Sequence, residues 1–171
     1  FPQRNLTSCF YLPGPFIASS AQVQNRVRDL YVVPKIWNTS MSSDVRRVSV
    51  VTGGGRGIGK ATADLLSERG FTTIRISRTL DESDMNWRCD VGDEQDVSRV
   101  FKEIGDRYGR LDALVNAAGV VSMSGPLDVA VSEWMDVMRT NVIGAYLCCK
   151  HAIPLMSRRH YGRVVNVSSI A

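Results

Sequence analysis

Five glycines lie between residues 52 and 59, where the chain reads Thr-Gly-Gly-Gly-Arg-Gly-Ile-Gly. The β-branched residues 47–51 before them predict a strand, and apolar residues at helical spacing follow them as far as Gly70. A glycine-rich turn between a strand and a helix lets the backbone approach a phosphate, and the N–H groups and positive dipole end of the helix attract its charge. The stretch therefore predicts a nucleotide site, and a flexible loop between unrelated elements is the alternative.

The spacing of these glycines is T-G-x-x-x-G-x-G rather than the G-x-G-x-x-G of other dinucleotide folds. Three later stretches follow in order: Asn116-Ala117-Ala118-Gly119, Asn141 and Ser168-Ser169. On these residues the chain resembles the short-chain dehydrogenase/reductase family over residues 45–171, and in particular its 3-oxoacyl-[acyl-carrier-protein] reductase-like members. The Tyr-x-x-x-Lys of that family lies beyond the serine, whereas this sequence stops at Ala171. We therefore expect the N-terminal part of such an enzyme, inactive by itself.

The resemblance implies a nicotinamide dinucleotide whose phosphates lie over the glycine turn. The residues implied there are Gly53, Gly55, Arg56, Gly57, Ile58 and Gly59. The position about 20 residues further along contacts the ribose 2′ group, and here it reads Ser77-Arg78 without a carboxylate. Because Arg78, assisted by Arg56, can pair with a 2′-phosphate, we expect NADP(H) rather than NAD(H). The alternative is two solvated arginines.

The resemblance also assigns Asp90 to the adenine amino group and Val91 to the face of the adenine ring. A role for Asp90 in capping the following turn is the alternative. The cofactor cleft is expected to be lined by Asn116, Ala117, Ala118 and Gly119. We expect the side chain of Asn116 to join its strand to the neighbouring strand as well.

The same resemblance implies that Ser169 orients a substrate carbonyl, with Ser168 as its rival because successive strand residues point to opposite faces. It implies that Asn141 holds a water of a proton relay, and a plain helix-breaking residue is the alternative. The implied reaction is hydride transfer between nicotinamide and a ketone or secondary alcohol, with 3-oxoacyl thioesters among the candidate substrates. A dinucleotide-binding module without turnover is the competing function. No residue spacing predicts a metal site.

The elements that must position these residues alternate between strand and helix. Strands are predicted at residues 47–51, 72–76, 86–89, 112–115 and 163–167. One helix is predicted between an Asp93 cap and Gly109, and a second runs from Ser132 to about Arg158 with a break near Asn141. The prediction is an α/β, doubly wound parallel sheet of Rossmann type, truncated after the fifth strand. Its ligand crevice lies at the carboxyl ends of the first and fourth strands.

The helix at residues 141–158 has almost no polar face, so it must be covered on two sides. The sheet covers one side, and a second subunit is expected on the other, giving a homo-oligomer (dimer or tetramer). Cover by residues absent from this sequence is the alternative.

Composition limits the partners. The 171 residues carry a net charge of +4, but residues 1–40 contain four basic residues and one acidic residue, so the remainder is nearly neutral and predicts no nucleic-acid partner. No apolar run approaches the roughly 18 residues of a membrane span. Four cysteines without metal or redox spacing favour a reducing compartment, the cytoplasm. Residues 1–44 are expected to be a disordered leader or non-native segment, and a genuine transit peptide there would instead indicate the mitochondrial matrix.

Overall fold

The computed structural model describes residues 46–125 and 127–169, so the proposed leader lies outside the described part of the chain. Its sheet has five parallel strands in the order β3-β2-β1-β4-β5. The strands are β1 Val48–Thr52, β2 Thr72–Ser77, β3 Asn86–Arg88, β4 Ala113–Asn116 and β5 Arg163–Asn166. The helices are α1 Gly57–Glu68, α2 Glu94–Tyr108, α3 Val131–Met138 and α4 Gly144–Ser157, and a π-helical segment, Arg139–Ile143, joins α3 to α4. The predicted Rossmann-type parallel sheet is confirmed.

The strand order reverses between β1 and β4. From β1 the chain proceeds outward to β2 and β3, then crosses back to β4 and β5 on the other side. In sheets of this kind the crevice at the carboxyl ends of the two central strands binds ligands. Both strands run one residue further than the pattern predicts, because the parallel ladder pairs Thr52 with Ile76 and Asn116 with Asn166.

Apolar residues cover both faces of the sheet. On one face, Val50 and Leu114 pack into the main core with side chains from α2 and α4. On the other face, Val51 and Val115 pack against α1 through Ala63. The alternation along β1 is what a strand buried on both faces requires.

Helix α2 begins and ends where its sequence predicts. The carboxylate of Asp93 accepts hydrogen bonds from the backbone N–H groups of Gln95 and Asp96, and Gly109 ends the helix with a φ of 64°. A cap of this kind stabilises a helix by about 1 kcal/mol. Because α2 is fixed at both ends, it holds the main core against one face of the sheet.

A buried ion pair joins the starts of the two central strands. The Arg110 side chain donates two hydrogen bonds to Asp112, and Oδ2 of Asp112 also accepts the Val48 N–H at 2.8 Å. Both charged side chains are less than a tenth exposed. This pair ties β4 to β1 at the sheet edge opposite the crevice.

Candidate functional site

The turn after β1 needs glycine at two positions for steric reasons. Gly53 has a φ of 65°, and a Cβ placed on it would lie 2.9 Å from the carbonyl oxygen of Ala117. A Cβ on Gly59 would lie 2.4 Å from the carbonyl oxygen of Gly53. The turn is therefore pressed between the end of β4 and the first turn of α1, which is why side chains are excluded there.

The outer part of the same turn is open. A Cβ on Gly57, whose φ is 54°, would meet nothing within 4 Å, and Arg56 and Ile58 beside it are exposed. No side chain caps α1, and its first turn contains no acidic residue. The N–H groups at this helix start therefore face open space with the positive end of the helix dipole, an arrangement suited to phosphate.

Thr52 links the glycine turn to the end of β4. Its Oγ1 accepts hydrogen bonds from the backbone N–H groups of Ala117 and Ala118, each at 2.9 Å. Thr52 is only 1% exposed, so this hydroxyl forms the floor of the crevice. It was absent from the predicted site residues, and its place just before the glycines is the signal that could have found it.

Asn116 joins β4 to β5, as the sequence predicted. Its Nδ2 donates to Oδ1 of Asn166 at 2.8 Å. Its own Oδ1 is buried and has no hydrogen-bond partner in the described structure. Because this oxygen is enclosed by protein, the side chain supports the contact between β4 and β5 and does not present a free acceptor to a ligand.

Asn141 lies in the π-helical segment, which replaces the predicted break in the helix. Its Oδ1 accepts the Val120 N–H at 2.9 Å, and its Nδ2 donates to the Val120 carbonyl at 2.8 Å. A Cβ on Gly119 would lie 3.6 Å from the same Oδ1. The Asn141 side chain therefore fixes the loop that follows β4. The predicted binding of a relay water by Asn141 remains a prediction, and it would use the second lone pair of Oδ1 or the backbone carbonyl of Asn141.

Ser168 and Ser169 follow β5 after one intervening residue, Val167, and both are exposed. The Val167 N–H donates to the carbonyl of Asn116 at 2.9 Å, so the β5 end stays beside the β4 end. The two serines thus reach the same edge of the sheet as Asn141 and Gly119, and the choice between them remains a prediction.

The predicted 2′-phosphate residues lie beside the glycine turn. Ser77 ends β2, and a Cβ on Gly55 would lie 4.0 Å from its Oγ and 3.1 Å from Cδ2 of Leu80. Arg56 and Arg78 are both exposed, and neither forms an ion pair within residues 46–125 and 127–169. Two exposed arginines without an ion pair in the described ranges therefore stand next in the chain to the glycine turn and to Ser77.

Asp90 has two partners within the protein. Its Oδ1 accepts the Gly92 N–H at 2.9 Å, which is the turn-capping role, and its Oδ2 accepts from Nη2 of Arg139 at 2.8 Å. Val91 is buried and packs under α4, because a Cβ on Gly144 would lie 2.7 Å from its Cγ2. Little of the Val91 surface is left for a ring, and the predicted contacts of both residues with adenine remain predictions. Arg139 was not anticipated from the sequence, where nothing sets it apart.

Hydrogen bonds and burial shift the pKa values of three groups around α2 and the main core. The Arg99 side chain and the backbone N–H of Asp90 lower the pKa of Asp96. Burial raises the pKa values of Cys89 and Cys148, each to about 12. Among the described residues, no three His, Cys, Asp or Glu side chains are grouped to hold a metal ion.

An apolar surface runs along α3 and α4. Its exposed members are Val131, Trp134, Met135, Met138, Val142, Ile143, Tyr146 and Ile153. The opposite side of α4 packs on α2 and β4. The predicted burial of one side of this helix against the sheet is therefore observed, and its other side is exposed. No helix within residues 46–125 and 127–169 combines the length and apolarity needed to cross a membrane.

Comparison with known proteins adds sequence relatives and structural neighbours. The family model described as short chain dehydrogenase matches residues 47–171. The chain is 33% identical over 134 residues to the 3-oxoacyl-[acyl-carrier-protein] reductase of Bos taurus, and 39% identical over 137 residues to the cis-4-hydroxycyclohexanecarboxylate dehydrogenase of Sinomonas cyclohexanicum. These alignments cover 72% of this chain and 56% and 55% of the relatives, so the chain spans about half the length of the curated relatives it matches. The ligand-free aldohexose dehydrogenase of Thermoplasma acidophilum superposes with a TM-score of 0.67 at 34% identity, covering 74% of this chain and 51% of that one.

Proposed function

The chain belongs to the short-chain dehydrogenase/reductase family, and from that premise we propose that the protein transfers a hydride between NADP(H) and a ketone or secondary alcohol. The observation that carries the proposal is the open, uncapped start of α1 at the strand-order reversal, with Gly57 facing empty space. Family membership supports an oxidoreductase role with a nicotinamide dinucleotide, and that activity, the choice of NADP(H) and the substrate class are all part of the proposal.

The residues present fit such a cofactor. The N–H groups at the start of α1 would hold its phosphates, and Asn116 would keep the ends of β4 and β5 together beside it. When bound, the nicotinamide supplies or accepts the hydride at the substrate carbon. Ser169 would donate its hydroxyl to the substrate carbonyl oxygen, since it lies at the crevice edge of the sheet. Asn141 would fix the loop that faces that carbonyl, because its side chain clamps Val120.

The preference for NADP(H) is supported by Arg78 and Arg56, which lie exposed beside Ser77 and the glycine turn. A hydrogen bond from a charged group contributes roughly 1.5–3 kcal/mol, and each 1.4 kcal/mol is about tenfold in affinity. Loss of the Arg78 contact should therefore weaken NADPH binding by roughly 10- to 100-fold. An aspartate at position 77 would add repulsion against the 2′-phosphate and an acceptor for the 2′-hydroxyl of NADH.

The test uses the protein that carries this sequence and measures dissociation constants for NADPH and NADH by calorimetry. In the Ser77→Asp, Arg78→Ile double variant, NADPH binding should fall while NADH binding holds or improves. Arg69→Ile is the matched control, because Arg69 is an exposed arginine at the far end of α1. Equal affinity of the parent for NADH and NADPH would reject the NADP(H) assignment.

Ketone reduction is tested separately with NADPH and acetoacetyl-coenzyme A, a soluble 3-oxoacyl thioester, beside a simple cyclic ketone. The names of the relatives, a 3-oxoacyl reductase and a cyclohexane-ring alcohol dehydrogenase, support both substrate types. Turnover that Ser169→Ala lowers by at least about tenfold supports catalysis, since one oxyanion-type hydrogen bond is worth that much or more. In a protein that carries this sequence together with a following Tyr-x-x-x-Lys, tight NADPH binding with no turnover on either substrate would instead identify a non-catalytic dinucleotide-binding module.

We further propose a homo-oligomer assembled through the apolar surface of α3 and α4. Exposed Trp134, Met135 and Tyr146 give that surface aromatic and methionine side chains typical of interfaces. We also propose a reducing compartment, the cytoplasm or mitochondrial matrix, supported by the free thiols of Cys89 and Cys148.

A further inference from the structure

The π-helical segment is attached to the rest of the molecule at three points. Asn141 clamps the backbone of Val120, and Gly144, just after the segment, packs closely on Val91. The third attachment is the ion pair between Nη2 of Arg139 and Oδ2 of Asp90 at 2.8 Å. A π-helix is rare and occurs mostly as a single turn within an α-helix, so we expect such a segment to rely on contacts of this kind.

The side chain of Arg139 lies flat across the turn at residues 90–92. A Cβ on Gly92 would lie 2.9 Å from its Cγ and 3.2 Å from its Nε, so the arginine stem covers this glycine. Its guanidinium then meets the carboxylate that also caps the turn. Arg139 is therefore placed by both packing and charge.

The turn that receives Arg139 is anchored independently of it. Oδ1 of Asp90 accepts the Gly92 N–H, and the backbone N–H of Asp90 donates to Asp96 on α2 at 3.1 Å. The ion pair therefore connects the π-helical segment to a turn that is bonded to the core helix α2. In the sequence the two partners are 49 residues apart.

We propose that Arg139 is a positioning residue that sets the location of Asn141 by tying the π-helical segment to the turn beside the adenine end of the crevice. The effect of Arg139 on catalysis rests on the proposed function. Its effect on the position of the π-helical segment rests on the contacts described above. Arg139 and Asn141 are two positions apart within the same turn of backbone, so a displacement of one is passed to the other. The hydrogen bond from the Val120 N–H to Asn141 then reports whether the segment is in place.

Hydrogen exchange measures this without any need for activity. In Arg139→Met, which keeps the length of the stem but removes the charge, the Val120 amide should exchange about fivefold faster, the change expected from losing a partly exposed ion pair. Arg139→Lys should restore most of the protection. Lys102→Met removes an exposed ion pair with Asp106 on α2 and should leave Val120 unchanged. Unchanged exchange of Val120 in Arg139→Met would overturn the proposal.

Steady-state kinetics test whether the position of Asn141 affects catalysis. With NADPH and a ketone, Arg139→Met should lower kcat by roughly three- to tenfold while KM for NADPH changes less than about twofold, because a misplaced group lowers the rate more than ground-state binding. A raised KM for NADPH at unchanged kcat would overturn the positioning role and make Arg139 a direct cofactor contact. If the wild-type protein neither binds NADPH nor turns over, the proposed function fails, and the exchange result still decides the structural role of Arg139.

Discussion

Replacing Thr52 with valine removes one hydroxyl oxygen and keeps the shape of the side chain. That oxygen accepts two backbone hydrogen bonds, from Ala117 and Ala118, and no other atom of valine can replace it. Thr52 is 1% exposed, so water cannot easily take over. The substitution therefore leaves two N–H groups without an acceptor at the floor of the crevice.

The expected cost follows from these two groups. A buried donor left unpaired costs about 1–3 kcal/mol, and the N–H groups of Ala117 and Ala118 are only partly buried. Because the two donors are only partly buried, we expect each to cost a value near the low end of this range, and the free energy of unfolding to fall by about 2–3 kcal/mol. With a typical urea slope of about 2 kcal/mol per molar, the unfolding midpoint should fall by about 1–1.5 M.

The assay is urea unfolding followed by circular dichroism, with Thr73→Val as the matched control. Thr73 is also a buried strand threonine, but its Oγ1 accepts a single hydrogen bond, from the hydroxyl of Ser49 at 2.9 Å. A hydroxyl can rotate toward another acceptor, whereas a backbone N–H cannot, so Thr73→Val should cost about 1 kcal/mol. A midpoint shift for Thr52→Val that does not exceed that of Thr73→Val would refute the account of the crevice floor.

Three further outcomes are expected. Gly59→Ala should cost about 1–3 kcal/mol of unfolding free energy and weaken NADPH binding, because its Cβ would lie 2.4 Å from a backbone carbonyl oxygen of the glycine turn; unchanged thermal stability would contradict this. The pKa of Asp96 is lowered by the Arg99 side chain, so the Asp96 carboxylate stabilises the fold above the unfolded pKa of about 3.9, and this stabilisation is lost as pH falls through the folded pKa. The difference in urea midpoint between wild type and Asp96→Asn should therefore shrink from about pH 6 to about pH 3. A difference that stays constant over this range would contradict the stabilising role of the carboxylate. Burial raises the pKa values of Cys89 and Cys148 to about 12, so mass spectrometry should find neither alkylated by iodoacetamide in the native protein at about pH 8, and rapid labelling of either would show that the core around them opens.

The parts of the fold that could be predicted are those specified by nearby residues. Helix α2 is the clearest case, because the Asp93 cap, the apolar spacing and the Gly109 stop all act within one segment. The glycine turn was predicted on similar grounds, since a strand before it and a helix after it are both local patterns. The doubly wound sheet, with its crevice at the first and fourth strands, then followed from the rule for parallel strands that alternate with helices.

The contacts that complete the site could not be predicted in the same way, because they join residues far apart in the chain. The acceptor role of Thr52 depends on Ala117, which is 65 residues away. The break near Asn141 was located from the sequence, but the π-helical segment found there is bonded to partners far along the chain. Asn141 bonds Val120, 21 residues away, and Arg139 bonds Asp90, 49 residues away. A polar residue in a helix indicates a weak point, and the partners that shape that point are set by the tertiary fold.

The π-helical segment also fixes the angular phase of everything that follows it. Each residue of an α-helix turns the chain by about 100°, so one extra or missing residue within Arg139–Ile143 rotates α4 by about that angle relative to α3. A deletion would move Leu147 to the exposed position that Tyr146 holds, whereas an insertion would move Tyr146 to the buried position of Leu147. A substitution within the segment therefore changes only local contacts. A single-residue deletion there changes the rotation of the whole of α4 about its axis.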